Sequence, residues 1–326
     1  MESSSSKSLF DWIMLNDETA ASFAGVAINR HQEWQYSEQQ HCCRIVFESN
    51  VSGAVINEFI MALGAVSVAV VQRDTDLQCI EVCSEQPFSP QAIASLNSNK
   101  GVEGYVLNQP LPRIDKPGLL VMDMDSTAIE IECIDELAAM AGVGEAVAAV
   151  TEQAMQGELD FEQSLRARVA KLQGANSQII DDLCQQLPLM PGLTDMVKIL
   201  KQHQWRLVLA SGGFTPFVGH LKQLLDLDAA YANELVIDNG QLTGEVTGQI
   251  VDAQFKADTV LHCAQQWQIA AGQRLAIGDG ANDIPMINQA DCGFAFHAKP
   301  KLKAAADLAI DSLDLRALPF LLRTGK

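Results

Sequence analysis

The sequence predicts an α/β protein: a Rossmann-like parallel sheet with a small helical cap, preceded by an N-terminal α+β domain. Three observations carry this. From residue 118 onward, short apolar runs alternate with helical stretches. Two of those runs end in acidic clusters, Asp123-Met124-Asp125-Ser126-Thr127 and Gly278-Asp279-Gly280-Ala281-Asn282-Asp283. A long helical stretch at about 130–187 interrupts the alternation directly after the first cluster.

In chain order, residues 1–40 are polar with scattered apolar positions and give no periodic signal. Residues 44–47 read as a strand, and 53–63 as a helix with Val55, Ile56, Phe59 and Ile60 on one face. The valine-rich run 65–71 and the run 77–82 read as strands around a turn at Arg73-Asp74-Thr75-Asp76. A short helix over 91–96 completes a β-α-β-β-α order, so residues 1–108 are expected to form a small α+β domain. Asn108-Gln109-Pro110-Leu111-Pro112 and Pro117 mark the approach to a second domain, 109–326. Its strand candidates are 118–123, 205–210, 274–278 and 292–296. The insertion at 130–187 is placed to cover the strand ends as a lid that excludes water.

The chain has 326 residues, enough for two or three cores. A formal net charge of -19 excludes a nucleic-acid partner and an anionic membrane surface, both of which require a basic footprint. No apolar run reaches the 18 residues of a membrane span, and Met1–Lys7 lacks the basic start and apolar core of a signal peptide. The eight cysteines form no CxxC pair and mostly sit in apolar stretches. They are expected to be buried free thiols of a cytoplasmic protein.

The chemistry begins at Asp123 and Asp125. Positions i and i+2 of a strand share a face, so both acids leave the strand end toward one small volume. In an open α/β sheet that end binds ligands. The residue types suit phosphoryl transfer: a divalent cation removes the repulsion between phosphate and an attacking carboxylate. Asp123 then serves as nucleophile, while Asp125 protonates the leaving alkoxide and activates water. A DxD alone is equally a strand-end turn of solvated aspartates. The second cluster shifts the balance, because Asp279 at another strand end supplies a hard oxygen ligand for Mg²⁺, with Asp283 behind it. A third strand ends in Ser211-Gly212-Gly213, whose hydroxyl and backbone N–H groups can hold phosphate oxygens. By spacing alone Lys256 is no different from a surface lysine.

Taken together and in this order, DxDST, Ser-Gly-Gly, Lys and GDGAND resemble the haloacid dehalogenase-like phosphatases over roughly residues 115–323, and within them the phosphoserine phosphatase family. The resemblance implies roles that spacing does not. Glu132 matches the acid that contacts the substrate ammonium, and Arg168 the arginine that pairs with its carboxylate. Ser211 and Gly212 match the phosphate loop, Lys256 the lysine beside the nucleophile, and Asn282 a substrate-contacting asparagine. Mg²⁺ is implied at Asp123, at the backbone carbonyl of Asp125 and at Asp279. The implied substrate is O-phospho-L-serine, hydrolysed in the last step of L-serine biosynthesis. Met124 stands where phenylalanine is commoner, a packing change. The N-terminal domain resembles an ACT module, which implies amino acid binding or a homodimer. Its turn Glu48-Ser49-Asn50-Val51-Ser52-Gly53 lacks the proline usual in ligand-binding versions. Two other readings remain: an amino acid sensor acting through the N-terminal domain, and a phosphatase of another small metabolite.

Overall fold

The computed structural model describes residues 8–15, 18–31, 40–64 and 66–324. The described residues begin with helix α1 (Leu9–Leu15) and a hairpin of β1 (Ala20–Phe23) and β2 (Val26–Arg30), all within the stretch that carries no periodic signal. There follow β3 (His41–Glu48), α2 (Gly53–Leu63), β4 (Val66–Val71), β5 (Leu77–Ser84), α3 (Pro90–Asn97) and β6 (Val102–Leu107). The predicted β-α-β-β-α order is present, closed by β6. The strands form one six-stranded sheet in the order β1-β2-β4-β5-β3-β6. Helices α2 and α3 start as their sequences dictate. The Ser52 hydroxyl accepts from the N–H of Ala54 at the start of α2, and that of Ser89 from Ala92 at the start of α3.

Side chains alternate across this sheet. Cys43, Ile45, Phe47, Ile80 and Val82 pack under α1, α2 and α3 with Trp12, Ile56, Phe59 and Leu96. Cys42, Val46, Cys79 and Cys83 point the other way, into a core shared with the C-terminal segment Leu315–Leu322. That junction is also polar. The fully buried Arg44 guanidinium donates to the carbonyls of Phe320 and Leu322, and Glu103 accepts from the N–H groups of Asp311, Ser312 and Leu313.

The second sheet is built from β7 (Leu119–Met122), β8 (Arg206–Phe214), β9 (Ala229–Asp238), β10 (Gln241–Thr247), β11 (Arg274–Gly278), β12 (Cys292–Phe296) and β13 (Leu308–Ile310). Its order is β10-β9-β8-β7-β11-β12-β13, parallel throughout except for β10 on the edge. The four predicted strands lie side by side at its centre. The strands that prediction did not identify, β9, β10 and β13, flank them. β9 and β10 are largely half-buried or exposed, so they lack the apolar run that marks the central four. Helices α8 (Leu193–Gln202) and α9 (Thr215–Leu225) cover one face; α10 (Ala253–Gln266) and α11 (Ile284–Gln289) cover the other. The interrupting stretch is helical as predicted: α4 (Cys133–Met140), α5 (Gly144–Met155), α6 (Phe161–Ala170) and α7 (Gln178–Cys184).

One expectation is corrected. Cys42 and Cys83 are joined as a disulfide, not free. They are directly opposed in the antiparallel β3–β5 ladder, a proximity that their separation of 41 residues conceals. The other six cysteines form no disulfide, and all but Cys184 are buried. Among the described residues no helix is long and apolar enough to cross a membrane.

Candidate active site

β7 occupies the point where the parallel sheet runs outward in both directions, to β8 and β9 on one side and β11, β12 and β13 on the other. The crevice at such a switch point is where open α/β sheets bind ligands. Asp123 leaves β7 at that place and is 5% exposed. Just beyond Asp125, Ser126 takes a left-handed conformation, with φ of 56°, and turns the chain sharply toward α4. That turn brings the Cys133 N–H to Asp125 Oδ1 at 3.0 Å.

Lys256 settles the question its spacing left open. It lies on α10, a helix capped by Asp252, which accepts from the Phe255 N–H at 2.8 Å. Its ammonium is buried between two carboxylates, 2.7 Å from Asp123 Oδ1 and 2.9 Å from Asp283 Oδ1. Asp283 uses its second oxygen to accept from the N–H groups of Asp279 and Gly280, at 3.2 and 3.1 Å. The GDGAND turn is thus folded around the Asp283 side chain, which leaves the Asp279 side chain at the cavity.

The crevice is a cavity of about 610 Å³ between the sheet and the helical insertion. Asp123, Asp125, Gly212, Lys256, Asp279 and Asn282 line its floor, with Lys299 beside them. Glu132, Ile134, Met155, Phe161 and Arg168 line the insertion side. Arg168 sits at the end of α6, whose first turn is fixed by a capping box between Asp160 and Gln163. Its Nε donates weakly to the Ser164 carbonyl at 3.4 Å, which leaves the rest of the guanidinium toward the cavity. Glu132 Oε1 accepts from the Ser126 hydroxyl at 2.9 Å. An acid and a guanidinium therefore face the floor from above, the pairing that an amino acid head group requires.

Of the residues singled out from sequence, Asp283 lies behind the floor, and Ser211 does not line this cavity either. Its hydroxyl is fully buried and accepts from the Gly213 N–H at 2.9 Å, so it braces the loop. Asn233 on β9, which no sequence signal marked, does similar work: its amide donates to the carbonyls of Gly212 and Gly213, and its oxygen accepts from Val251. Lys299, also unmarked in the sequence, joins the site because its backbone N–H bonds the Asp279 carbonyl at 3.1 Å.

The electrostatics follow from crowding acids in a dry space. Burial, with Asp283 nearby, pushes the Asp123 carboxyl well above its usual range; Lys256 opposes this. Burial and Glu132 raise Asp125 to about 6. Burial and Asp283 raise Asp279 to about 6. Burial lowers Arg168, partly offset by Asp135, Glu132 and Asp125. Carboxylate oxygens of Asp123, Asp279 and Asp283 lie within 4.8 Å of one another. Hard oxygen donors that repel each other this closely suit a divalent cation.

Comparison with known proteins agrees with this geometry. A family model described as haloacid dehalogenase-like hydrolase matches residues 118–291. The chain is 53% identical over 211 residues to a phosphoserine phosphatase of Haemophilus influenzae, covering 65% of this chain and 67% of that one. It is 54% identical over 206 residues to a phosphoserine phosphatase of Vibrio cholerae, covering 63% of each. A crystal structure of a probable phosphoserine phosphatase from Vibrio cholerae, in unliganded form, superposes with a TM-score of 0.74 at 43% identity, over 86% of both chains. With more than half of its length matched by that model and its acidic clusters meeting at one switch point, the chain belongs to the haloacid dehalogenase-like hydrolase family.

Proposed function

We propose that this chain is a Mg²⁺-dependent phosphoserine phosphatase that hydrolyses O-phospho-L-serine to L-serine and phosphate in the cytoplasm, as the last step of L-serine biosynthesis. The observation that carries the reading is the Lys256 ammonium held between Asp123 and Asp283 beneath Glu132 and Arg168. Positive charge is fixed where a phosphate would arrive. Complementary groups for an amino acid stand across the cavity.

In the reaction, an Asp123 oxygen attacks phosphorus and the bond to the serine oxygen breaks. Asp125, raised to about 6 and therefore able to carry a proton near neutrality, gives that proton to the leaving alkoxide. Asp125 then takes a proton from water, which attacks the aspartyl-phosphate, freeing phosphate and restoring the Asp123 carboxylate. Lys256 offsets negative charge on both nucleophile and phosphate. Gly212 presents backbone to the phosphate oxygens, with Ser211 and Asn233 holding the loop. Glu132 takes the substrate ammonium, Arg168 its carboxylate and Asn282 lies beside the phosphate. Asp123, Asp279 and the Asp125 backbone carbonyl would hold Mg²⁺, with Asp283 fixing the turn behind them. When bound, the cation supplies charge neutralisation between the nucleophile and the phosphate.

The division of labour is expected to fall near residue 108, with residues 1–108 acting as an ACT-like packing or homodimerisation module. The test is phosphate release from O-phospho-L-serine, phosphothreonine, a sugar phosphate and an aryl phosphate, each with and without Mg²⁺. Mg²⁺-dependent turnover that prefers phosphoserine supports the assignment. Turnover of another phosphate alone keeps the chemistry and rejects the substrate.

A further inference from the structure

A second cluster of ligating side chains lies far from the cavity, on the face of the N-terminal sheet that meets the C-terminal segment. His31 follows β2, Cys42 is on β3, and Glu81 and Cys83 are on β5. His31 Nε2 lies 3.1 Å from Glu81 Oε1 and 3.8 Å from Cys83 Sγ. One ligand atom from each of His31, Glu81 and Cys83 falls within 4.8 Å of the others. Cys42, bonded to Cys83, places a second sulfur directly beside that of Cys83.

We propose that, once the Cys42–Cys83 disulfide is reduced, Cys42, Cys83, His31 and Glu81 form a four-ligand site for a thiophilic divalent cation such as Zn²⁺. Nothing in the phosphatase reading requires these residues.

Three features support it. The first is geometry. With metal–sulfur bonds of about 2.3 Å and metal–nitrogen or metal–oxygen bonds of about 2.0–2.2 Å, a tetrahedral centre places its ligand atoms roughly 3.2–3.8 Å apart. The 3.8 Å separation of His31 Nε2 from Cys83 Sγ lies at the upper end of this range, and the 3.1 Å to Glu81 Oε1 lies just below its lower end. The second is support behind the ligands. Glu81 turns its other oxygen to the buried Arg44 at 2.9 Å, so the carboxylate is held with Oε1 toward His31, as outer partners hold metal-binding carboxylates. The third is charge. Two thiolates and Glu81 carry three negative charges, and a dication with Arg44 carries three positive ones. The buried site is neutral with the metal bound, and also with the disulfide closed. The His31 side chain is 20% exposed, which provides the entry path.

The steps balance. A dithiol reductant gives two electrons and two protons to the Cys42–Cys83 bond, yielding two thiols and its own disulfide. Metal binding then releases both thiol protons, and neutral His31 carries its proton on Nδ1 so that Nε2 can ligate. In a reducing compartment the metal form replaces the disulfide as the clasp between β3 and β5.

The test is a cobalt titration of the full chain, reduced with dithiothreitol, desalted without air and kept in excess Mg²⁺ so that the carboxylate cluster does not compete. Reduced protein is expected to bind one Co²⁺ with a sulfur-to-cobalt charge-transfer band and strong tetrahedral visible bands. Air-oxidised protein and Cys42→Ser/Cys83→Ser should lack both. His31→Ala, a change at a partly exposed side chain, should weaken Co²⁺ binding at least about 10-fold while phosphate release is retained. Absence of the thiolate band in reduced wild-type protein overturns the proposal. So does the same band in the double serine variant, or unchanged affinity in His31→Ala.

Discussion

Arg44 Nη1 donates to the carbonyl of Leu322 at 2.7 Å, across 278 residues of chain. The same guanidinium pairs with Glu81 in a fully buried environment. Removing one partner of such a pair strands the other charge. Arg44→Met is expected to destabilise the protein by about 3–5 kcal/mol in urea unfolding. Arg44→Met/Glu81→Met should recover much of the loss. A double variant no better than the single one would show that the carbonyl bonds, not the charge pair, dominate.

Asp123→Asn removes the attacking oxygen's charge and one partner of Lys256. Phosphate release is expected to fall by about 10⁴-fold or more, while the folded state persists. Retention of substantial turnover would assign the nucleophile elsewhere.

Arg168→Ala removes the cavity's guanidinium from the insertion side. The KM for O-phospho-L-serine should rise about 10- to 100-fold, the value of a hydrogen bond to a charged group. An aryl phosphate, lacking the carboxylate, should be affected little. Equal losses on both substrates would count against the role given to Arg168.

A Cβ at Gly213 would sit 2.9 Å from Asp125 Oδ2 and 3.0 Å from both Ser211 Oγ and Met124 Cε. Gly213→Ala must therefore displace the acid or the loop that faces it. A kcat reduction of about 10²-fold is expected, as for other small misplacements of reacting groups, with circular dichroism unchanged.

Asp291 provides a pH prediction away from the site. Burial would raise its carboxyl, but the Arg274 guanidinium and the N–H groups of Arg274 and Gly272 outweigh burial and hold it below the usual range. A depressed folded value adds stability above the unfolded pKa of about 3.9, lost as pH falls further. Asp291→Asn should cost roughly 1 kcal/mol at neutral pH. That difference should shrink below about pH 4. A constant difference across that range would rule out the charge as its source.

The central strands and both acidic clusters were legible because each is a local pattern: an apolar run, then acids at its end. What the sequence hid is non-local. Lys256 reads as any lysine until α10 buries it between Asp123 and Asp283. Asn233 acts on Gly212 and Gly213 only because β9 lies next to β8. Ser211 has the residue type of a phosphate-loop group, and only the folded loop shows its hydroxyl accepting from the Gly213 N–H. The Cys42–Cys83 bond depends on strand register, which no spacing encodes. β1 and β2 escaped notice because their positions are mostly half-buried or exposed.

The clasp of Arg44 by Phe320 and Leu322 also sets an order of events during synthesis. Arg44 leaves the ribosome 276 residues before Phe320, an interval of roughly 15–55 s at ordinary elongation rates. Throughout that interval the sheet face bearing Val46, Cys79 and Arg44 is without its cover. The nascent chain must carry that half-apolar surface until Phe320 and Leu322 have emerged, so a sheet made early is completed late.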